Sequence, residues 1–407
     1  MTSRFRWLAF AGWTLLILLL APFANRIQKW TGVLLGESVV RYVLSAILLV
    51  AIAGVAAFLA RRRAVAARQI LWLAAIAALT LAVTWRLEVA AEPAHLAQYS
   101  VLAFLAFSAL RSHLDDAGVY PAAAVLTTIV GTVDEIFQWL LPNRFWDFGD
   151  VGLDAAAGVL VQLVIWQGVR PLDVAHDFGP RSIRLAARLA ACEALLLLLC
   201  VSNTPPRIDA YARWIPGLGY LGKGLATRMS DYGHRYVDPE IGRFQSRLSH
   251  AELRRLDRER GEEAAKILDR LRGREAYHRL QARYPGHRAP LVFEAGGHLF
   301  YRDRLLQRAR EQEGDDARIR LATAAYRENL ILERYFTHTL DSSKAALAPR
   351  DRRFLERLQR PEAAFESEVG NWLVTAFSET QARIALLAAL VVLAALYRYA
   401  ARRPEWG

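Results

Sequence analysis

Residues 183–206 read IRLAARLAACEALLLLLCVSNTPP, an apolar run that stops at Thr204-Pro205-Pro206. A bilayer core takes about 20 mostly apolar residues in a helix, and this run approaches that length. The chain after it, from about 203 to 375, is polar. The chain before it is a succession of similar apolar blocks, at approximately 7–24, 39–60, 69–87, 94–112, 119–141 and 151–170. One further block, approximately 380–400, carries LLAALVVLAALY and ends in Arg398, Arg402 and Arg403. The pattern predicts an all-α, polytopic membrane protein of about eight spans, with a mainly helical polar domain between the last two.

Composition narrows the class in the same direction. With 54% hydrophobic and 23% charged residues, the 407-residue chain is neither disordered nor typical of a soluble enzyme. Its cysteines, Cys192 and Cys200, share one apolar run, so they supply neither a disulfide framework nor a thiolate metal site. A net charge of +12 would suggest nucleic acid if the basic residues formed one stripe. They fall instead between apolar blocks and through the polar region, which is a pattern of topology and membrane-surface charge, so no nucleic-acid partner is expected.

The first block follows Arg4 and Arg6 like a signal peptide, but no small-residue cleavage site stands out and further spans follow, so it is read as retained. Cytoplasmic loops retain Lys and Arg. The second connection, Arg61-Arg62-Arg63 to Arg68, and the sixth, with Arg170, Arg181, Arg184 and Arg188, are strongly basic. The third has only Arg86 with Glu88 and Glu92, and the fifth only Arg144 among carboxylates. The first, with Arg26, Lys29 and Arg41, runs against this trend. Both termini are therefore expected in the cytoplasm and residues about 203–378 outside it.

The polar region opens with the turn-rich IPGLGYLGKG at 215–224. Ser249 and Glu252 then predict a capping box ahead of a helix through LRRLDRERGEEAAKILDRL, with Leu253, Leu256, Ala264, Ile267, Leu268 and Leu271 available for its inner face. Further helices are expected near 274–283, 291–311, 316–340 and 350–359. No period-2 run is long enough to predict a sheet. Trp372, Leu373, Val374 and Phe377 are expected as an interfacial anchor before the last span.

Polar residues at span ends demand an explanation, because ionisable groups near a bilayer are costly. Glu92 and His95 start the fourth span, with Tyr99 one turn deeper than His95. Asp134, Glu135 and Gln138 lie near the end of the fifth. The connection from Leu141 to Asp150 carries Arg144, Asp147 and Asp150, and Asp147, Asp150 and Asp154 align if the sixth helix starts near Asp147. On the predicted topology all of these residues meet on the outer side. A structural alternative is that they solvate helix ends, with Arg144 clamped to Asp147 or Asp150.

The string His95-x-x-x-Tyr99-x-x-Leu102, followed by Glu135-x-x-Gln138-x-x-x-Pro142-x-Arg144-x-x-Asp147-x-x-Asp150-x-x-x-Asp154-x-x-x-Gly158, resembles the VanZ-like family, named for a membrane protein linked to teicoplanin resistance. The resemblance covers residues about 30–170. The chain has Glu92-Pro93 where the family usually has Asp-Lys, and Asp154 where it usually has Asn. The resemblance implies a place in the bacterial cytoplasmic (inner) membrane and a role at the cell envelope, with an effect on glycopeptide susceptibility. With the apolar blocks and the predicted topology, the chain divides into a first transmembrane helix (1–29), a VanZ-like membrane domain (30–172), a seventh helix (173–202), an extracytoplasmic domain (203–378) and a last helix with a short cytoplasmic tail (379–407).

Three chemistries are open to the cluster. Glu135 and His95, with Asp150, can act as general acid and base. A divalent cation can be held by Glu92, His95, Glu135, Asp147 and Asp150, an oxygen-rich set unlike a tetrahedral zinc site. Arg144, aided by Gln138, Tyr99, Asp147, Asp154 and Glu92, can bind a membrane lipid head group or a lipid-linked envelope precursor or glycan. Head-group or precursor binding is favoured, with hydrolysis or transfer an option; whether the protein is an enzyme, and which proteins it partners, are left open. A secondary transporter using the carboxylates as relays and a non-catalytic scaffold for the polar domain are the alternatives. In the polar domain Glu294, His298, Asp303, Glu333 and His338 form a weaker metal candidate, read mainly as structural.

Overall fold

The computed structural model describes residues 2–24, 26, 27, 30, 33, 36–61, 67–86, 91–142, 144–223, 228–270 and 274–403. Seven long helices come first: α1 (Ser3–Leu20), α2 (Glu37–Arg61), α3 (Ala67–Arg86), α4 (Ala91–Leu110), α5 (Val119–Trp139), α6 (Phe148–Leu163) and α7 (Pro180–Ser202). Then follow α8 (Pro205–Ala212), strands β1 (His234–Asp238) and β2 (Gly242–Ser246), α9 (His250–Leu268), α10 (Arg274–Arg283), α11 (Pro290–Glu311), α12 (Asp315–Tyr335), α13 (Thr337–Asp341), α14 (Pro349–Leu358) and α15 (Glu379–Ala401). The chain divides into two compact units, one of residues 1–200 with 383–407 and one of residues 201–382.

In the first unit, Ser3–Phe23, Ala67–Thr84, Val119–Trp139, Phe148–Val169, Pro180–Ser202 and Glu379–Ala401 are long and apolar enough to cross a bilayer. The expected runs at 39–60 and 94–112 fall on α2 and α4, whose apolar segments among the described residues are the shorter Leu49–Leu59 and Ala94–Leu110. Apolar side chains both fill the interior of this unit and cover its outside. Leu16, Leu19, Ile47, Val50, Leu387, Val391 and Val392 face outward, while Thr127, Asp134, Glu135, Gln138, Asp154 and Gln162 are buried. This is the arrangement of a helical bundle in lipid, where polar groups turn inward and bond between helices.

Small residues let these helices approach. Ala122 and Ala123 on α5 and Ala157 on α6 are fully buried, and a Cβ on Gly158 would stand 3.1 Å from the Ala124 carbonyl oxygen. Gln162 Nε2 donates to Ala103 O on α4 at 3.0 Å. A π turn, Val164–Val169, extends α6 until Arg170 stops it in the left-handed region at φ 48°.

The second unit is mainly helical. α9 begins in the expected capping box, in which Ser249 accepts from the Glu252 amide and Glu252 accepts from the Ser249 amide. Leu253, Ala264 and Leu268 turn inward as expected, with Leu256 and Ile267 half-buried; Leu271 lies outside the described residues. Helices also occupy the other expected stretches, the one near 316–340 being divided at Phe336 into α12 and α13.

The β1–β2 hairpin was not expected. Each strand has only five residues and neither alternates cleanly between buried and exposed side chains, so no period-2 signal reaches the sequence. The turn makes the hairpin instead: Asp238 Oδ1 accepts from the amides of Glu240 at 2.9 Å and Ile241 at 3.1 Å, and Gly242 takes φ +106°. Tyr236 and Phe244 then stack across the strands at 4.5 Å and meet Tyr335 of α12 edge-on.

Candidate functional site: a buried carboxylate and histidine cluster

Three helices of the first unit build the cluster. On α4, His95 and Tyr99 lie one turn apart with parallel rings 6.0 Å between centroids. On α5, Asp134, Glu135 and Gln138 all point inward and are buried. The connection after α5 ends at Asp147, which is extended and caps α6 by accepting from the Gly149 amide at 2.7 Å. That cap starts the helix at Phe148 and sets Asp150 and Asp154 four residues apart on one face.

The hydrogen bonds define the centre. Tyr99 Oη donates to Asp134 Oδ2 at 3.1 Å, and Gln138 Nε2 donates to the same oxygen at 2.9 Å. His95 Nδ1 faces Asp154 Oδ1 at 3.4 Å. The Asp147 amide donates to Glu135 Oε2 at 3.2 Å. Ligand-capable atoms of His95, Glu135 and Asp150 lie within 4.8 Å of one another, the one such grouping among the described residues. Gly131 makes room for Asp154: a Cβ there would stand 2.5 Å from Asp154 Oδ2 and 2.7 Å from its Cβ.

The interior of the cluster is enclosed while its edge is accessible. Tyr99 and Asp154 are fully buried, Glu135 is nearly so, His95 and Asp150 are half-buried, and Asp147 is exposed. Arg144 is half-buried in the connection, and its charge acts on Asp134. Three enclosed oxygens, Asp134 Oδ1, Glu135 Oε1 and Asp154 Oδ2, have no hydrogen-bond partner among the described residues. Leaving a buried acceptor unsatisfied costs on the order of 1–3 kcal/mol, and more when it is charged. Protons, a cation or an enclosed water would offset that cost.

The chemistry available follows from the donor set. Carboxylate oxygens with one imidazole suit a hard or borderline divalent cation. With Nδ1 turned towards Asp154, His95 keeps Nε2 for a proton or a metal, an orientation a neighbouring carboxylate commonly fixes.

Of the expected residues, His95, Tyr99, Glu135, Gln138, Asp150 and Asp154 come together. Asp147 supplies the cap and its amide, with its side chain at the exposed edge. Glu92 lies in the first turn of α4, and its side chain is outside the described part of the structure. The sequence did not single out Asp134 as the acceptor shared by Tyr99 and Gln138, nor Gly131. It also passed over Glu193, a buried carboxylate inside α7 that accepts from Thr132 Oγ1 at 2.7 Å. A lone acid within an apolar run is a signal that could have found it.

The weaker candidate in the second unit does not assemble as a metal site. Glu294 accepts from Ser246 Oγ at 2.5 Å and from the Arg247 amide at 2.9 Å. His298 Nδ1 instead meets Glu328 at 2.6 Å. Asp303 pairs with Arg302 and Glu333 with Arg352, and His338 donates its backbone amide to Asp257. No family model, curated protein or solved structure matches the chain.

Proposed function

We propose that the chain is a VanZ-like protein of the bacterial cytoplasmic membrane that binds or processes a lipid head group or lipid-linked envelope precursor at the His95, Glu135 and Asp150 cluster. The observation that carries this reading is the set of enclosed carboxylate oxygens on Asp134, Glu135 and Asp154 without a partner among the described residues. Ionisable groups inside a membrane protein are functional by default, and a bound cation would satisfy these oxygens. His95, Glu135 and Asp150 fit a divalent cation, which would supply positive charge and polarise a phosphate oxygen. Arg144 adds a guanidinium for the same anion. Asp154 orients His95, while Tyr99 and Gln138 hold Asp134 in place.

In a strain lacking the gene, wild type is expected to restore survival under envelope-directed antibiotics, glycopeptides included. Glu135→Gln and Arg144→Ala at equal membrane level are expected to fail. Mn²⁺ affinity of the purified protein should fall about 100-fold in Glu135→Gln. Loss of rescue with unchanged Mn²⁺ binding would leave acid–base chemistry without a metal; full rescue by both variants would remove the cluster from function and favour a scaffold.

A second reading, transport through a carboxylate relay, is favoured by the buried Thr132–Glu193 pair. It requires Glu193→Gln to fail in the same assay. The orientation proposed, with both termini cytoplasmic and residues about 203–378 outside, is tested separately. Glu313→Cys, in a background of Cys192→Ser and Cys200→Ser, should react with a membrane-impermeant maleimide in intact spheroplasts. Reaction only after permeabilisation would reverse the topology.

A further inference from the structure

The second unit contains a cleft of about 480 Å³, within the size range of small-molecule sites. Three arginines line it: Arg304, which is exposed, and two more enclosed ones in different circumstances. Arg247 is committed: it bonds Asp231 Oδ2 at 2.5 Å and lies 3.6 Å from Glu294, and Gly286 packs so closely that a Cβ would collide with the guanidinium. Arg228 is different. Its guanidinium lies over the Trp372 ring at 3.6 Å, and among the described residues no carboxylate stands within ion-pair distance of it.

Burial, followed by the neighbouring charge of Arg247, lowers the Arg228 pKa to about 10, so it remains a cation at neutral pH. A half-buried cation resting on an aromatic face and facing a cleft calls for an anion. Aromatic rings also line the cleft: Tyr277 and Phe300 stack at 4.2 Å and Tyr301 meets Phe300 edge-on at 5.6 Å. Gln281, His278 and Asn371 add hydrogen-bonding groups around those rings. A free phosphate has no use for such a wall, whereas a sugar presents apolar C–H faces to rings and hydroxyls to the polar groups between them.

We propose that this cleft binds an acidic saccharide, with a sugar ring along Tyr277, Phe300 and Tyr301 and its carboxylate on Arg228. The site is separate from the membrane cluster and does not depend on the reading of that cluster. Asp231 and Glu294 keep Arg247 neutralised and fixed and Arg304 is exposed, so Arg228 is the enclosed cation that discriminates acid from neutral sugar.

The test is titration calorimetry on the full-length protein in detergent. The probes are a β-linked disaccharide containing glucuronate, its carboxyl-reduced counterpart and inorganic phosphate. Wild type is expected to bind the acidic disaccharide at least about tenfold more tightly than the neutral one, as loss of a charge-assisted bond implies. Arg228→Gln should abolish that preference, Arg228→Lys should retain part of it, and Glu135→Gln should bind like wild type. Thermal melting of each variant establishes that the unit is folded. Absence of acidic-disaccharide binding by wild type, an unchanged preference in folded Arg228→Gln, or phosphate binding as tight as the sugar acid would each overturn the proposal.

Discussion

Replacing Asp257 by alanine is expected to destabilise the second unit by roughly 4 kcal/mol, because one buried carboxylate serves three donors there. Its oxygens accept from the His338 amide at 2.8 Å, the Thr339 amide at 3.0 Å and Thr339 Oγ1 at 2.7 Å. These are donors at the start of α13, where helical amides lack partners within the helix. Gly261, one turn further along α9, completes the seat, since a Cβ there would stand 2.9 Å from the Thr339 nitrogen and from the His338 Cβ. Alanine at 257 removes the acceptor and leaves the amides enclosed without water. Asp257→Asn, which keeps one acceptor oxygen, should lose less. Urea unfolding of the full chain, followed by protease susceptibility of the second unit, reads the difference; a loss below about 1 kcal/mol would show that water replaces the carboxylate.

Gly131→Val is expected to damage the membrane cluster without altering any ionisable group. Its Cβ would occupy the space of the Asp154 carboxylate and Cβ, and the latter is not a flexible side-chain tip that can swing aside. α5 and α6 must then separate or Asp154 must move, at a cost of about 1–3 kcal/mol in an otherwise packed interior. Either response breaks the 3.4 Å approach of His95 to Asp154. Mn²⁺ affinity should therefore fall about tenfold or more, as for loss of an orienting partner. Gly152→Ala on α6 is the control: nothing lies within 4 Å of its Cβ position, and alanine favours a helix by up to about 1 kcal/mol. Equal Mn²⁺ binding by Gly131→Val and wild type would show that Asp154 does not position His95.

The contrast between these two sites marks what was legible in the sequence. Apolar runs near bilayer length announced most of the long helices because lipid imposes one rule on all of them. The Ser249 and Glu252 spacing announced the start of α9 because a capping box is local. His95, Tyr99, Glu135, Gln138, Asp150 and Asp154 could be gathered because each is an anomaly at the end of an apolar run. Asp134 could not be assigned its place, since that depends on which way α4 turns Tyr99. Glu294 and His298 share helical spacing, yet each bonds a different element, Ser246 in one case and Glu328 in the other. The hairpin depends on Asp238 and Gly242 at a turn, and the seat of α13 on a residue 81 positions earlier in the chain.

The position of α15 changes how the second unit is made. Residues 201–382 lie between two long apolar helices, Pro180–Ser202 and Glu379–Ala401. Once both helices enter the bilayer and pack together, as the Arg188 hydrogen bond to Tyr397 Oη at 2.7 Å holds them, the intervening chain is a closed loop whose ends can no longer diffuse apart. Much of the entropy that a free polypeptide loses in bringing distant residues together is then lost at insertion, before folding begins. Contacts spanning most of that loop, such as Arg207 with Glu379, bring together ends that the membrane already holds. Insertion of the last helix thus acts on the second unit as a cross-link would, by narrowing the conformations from which folding starts.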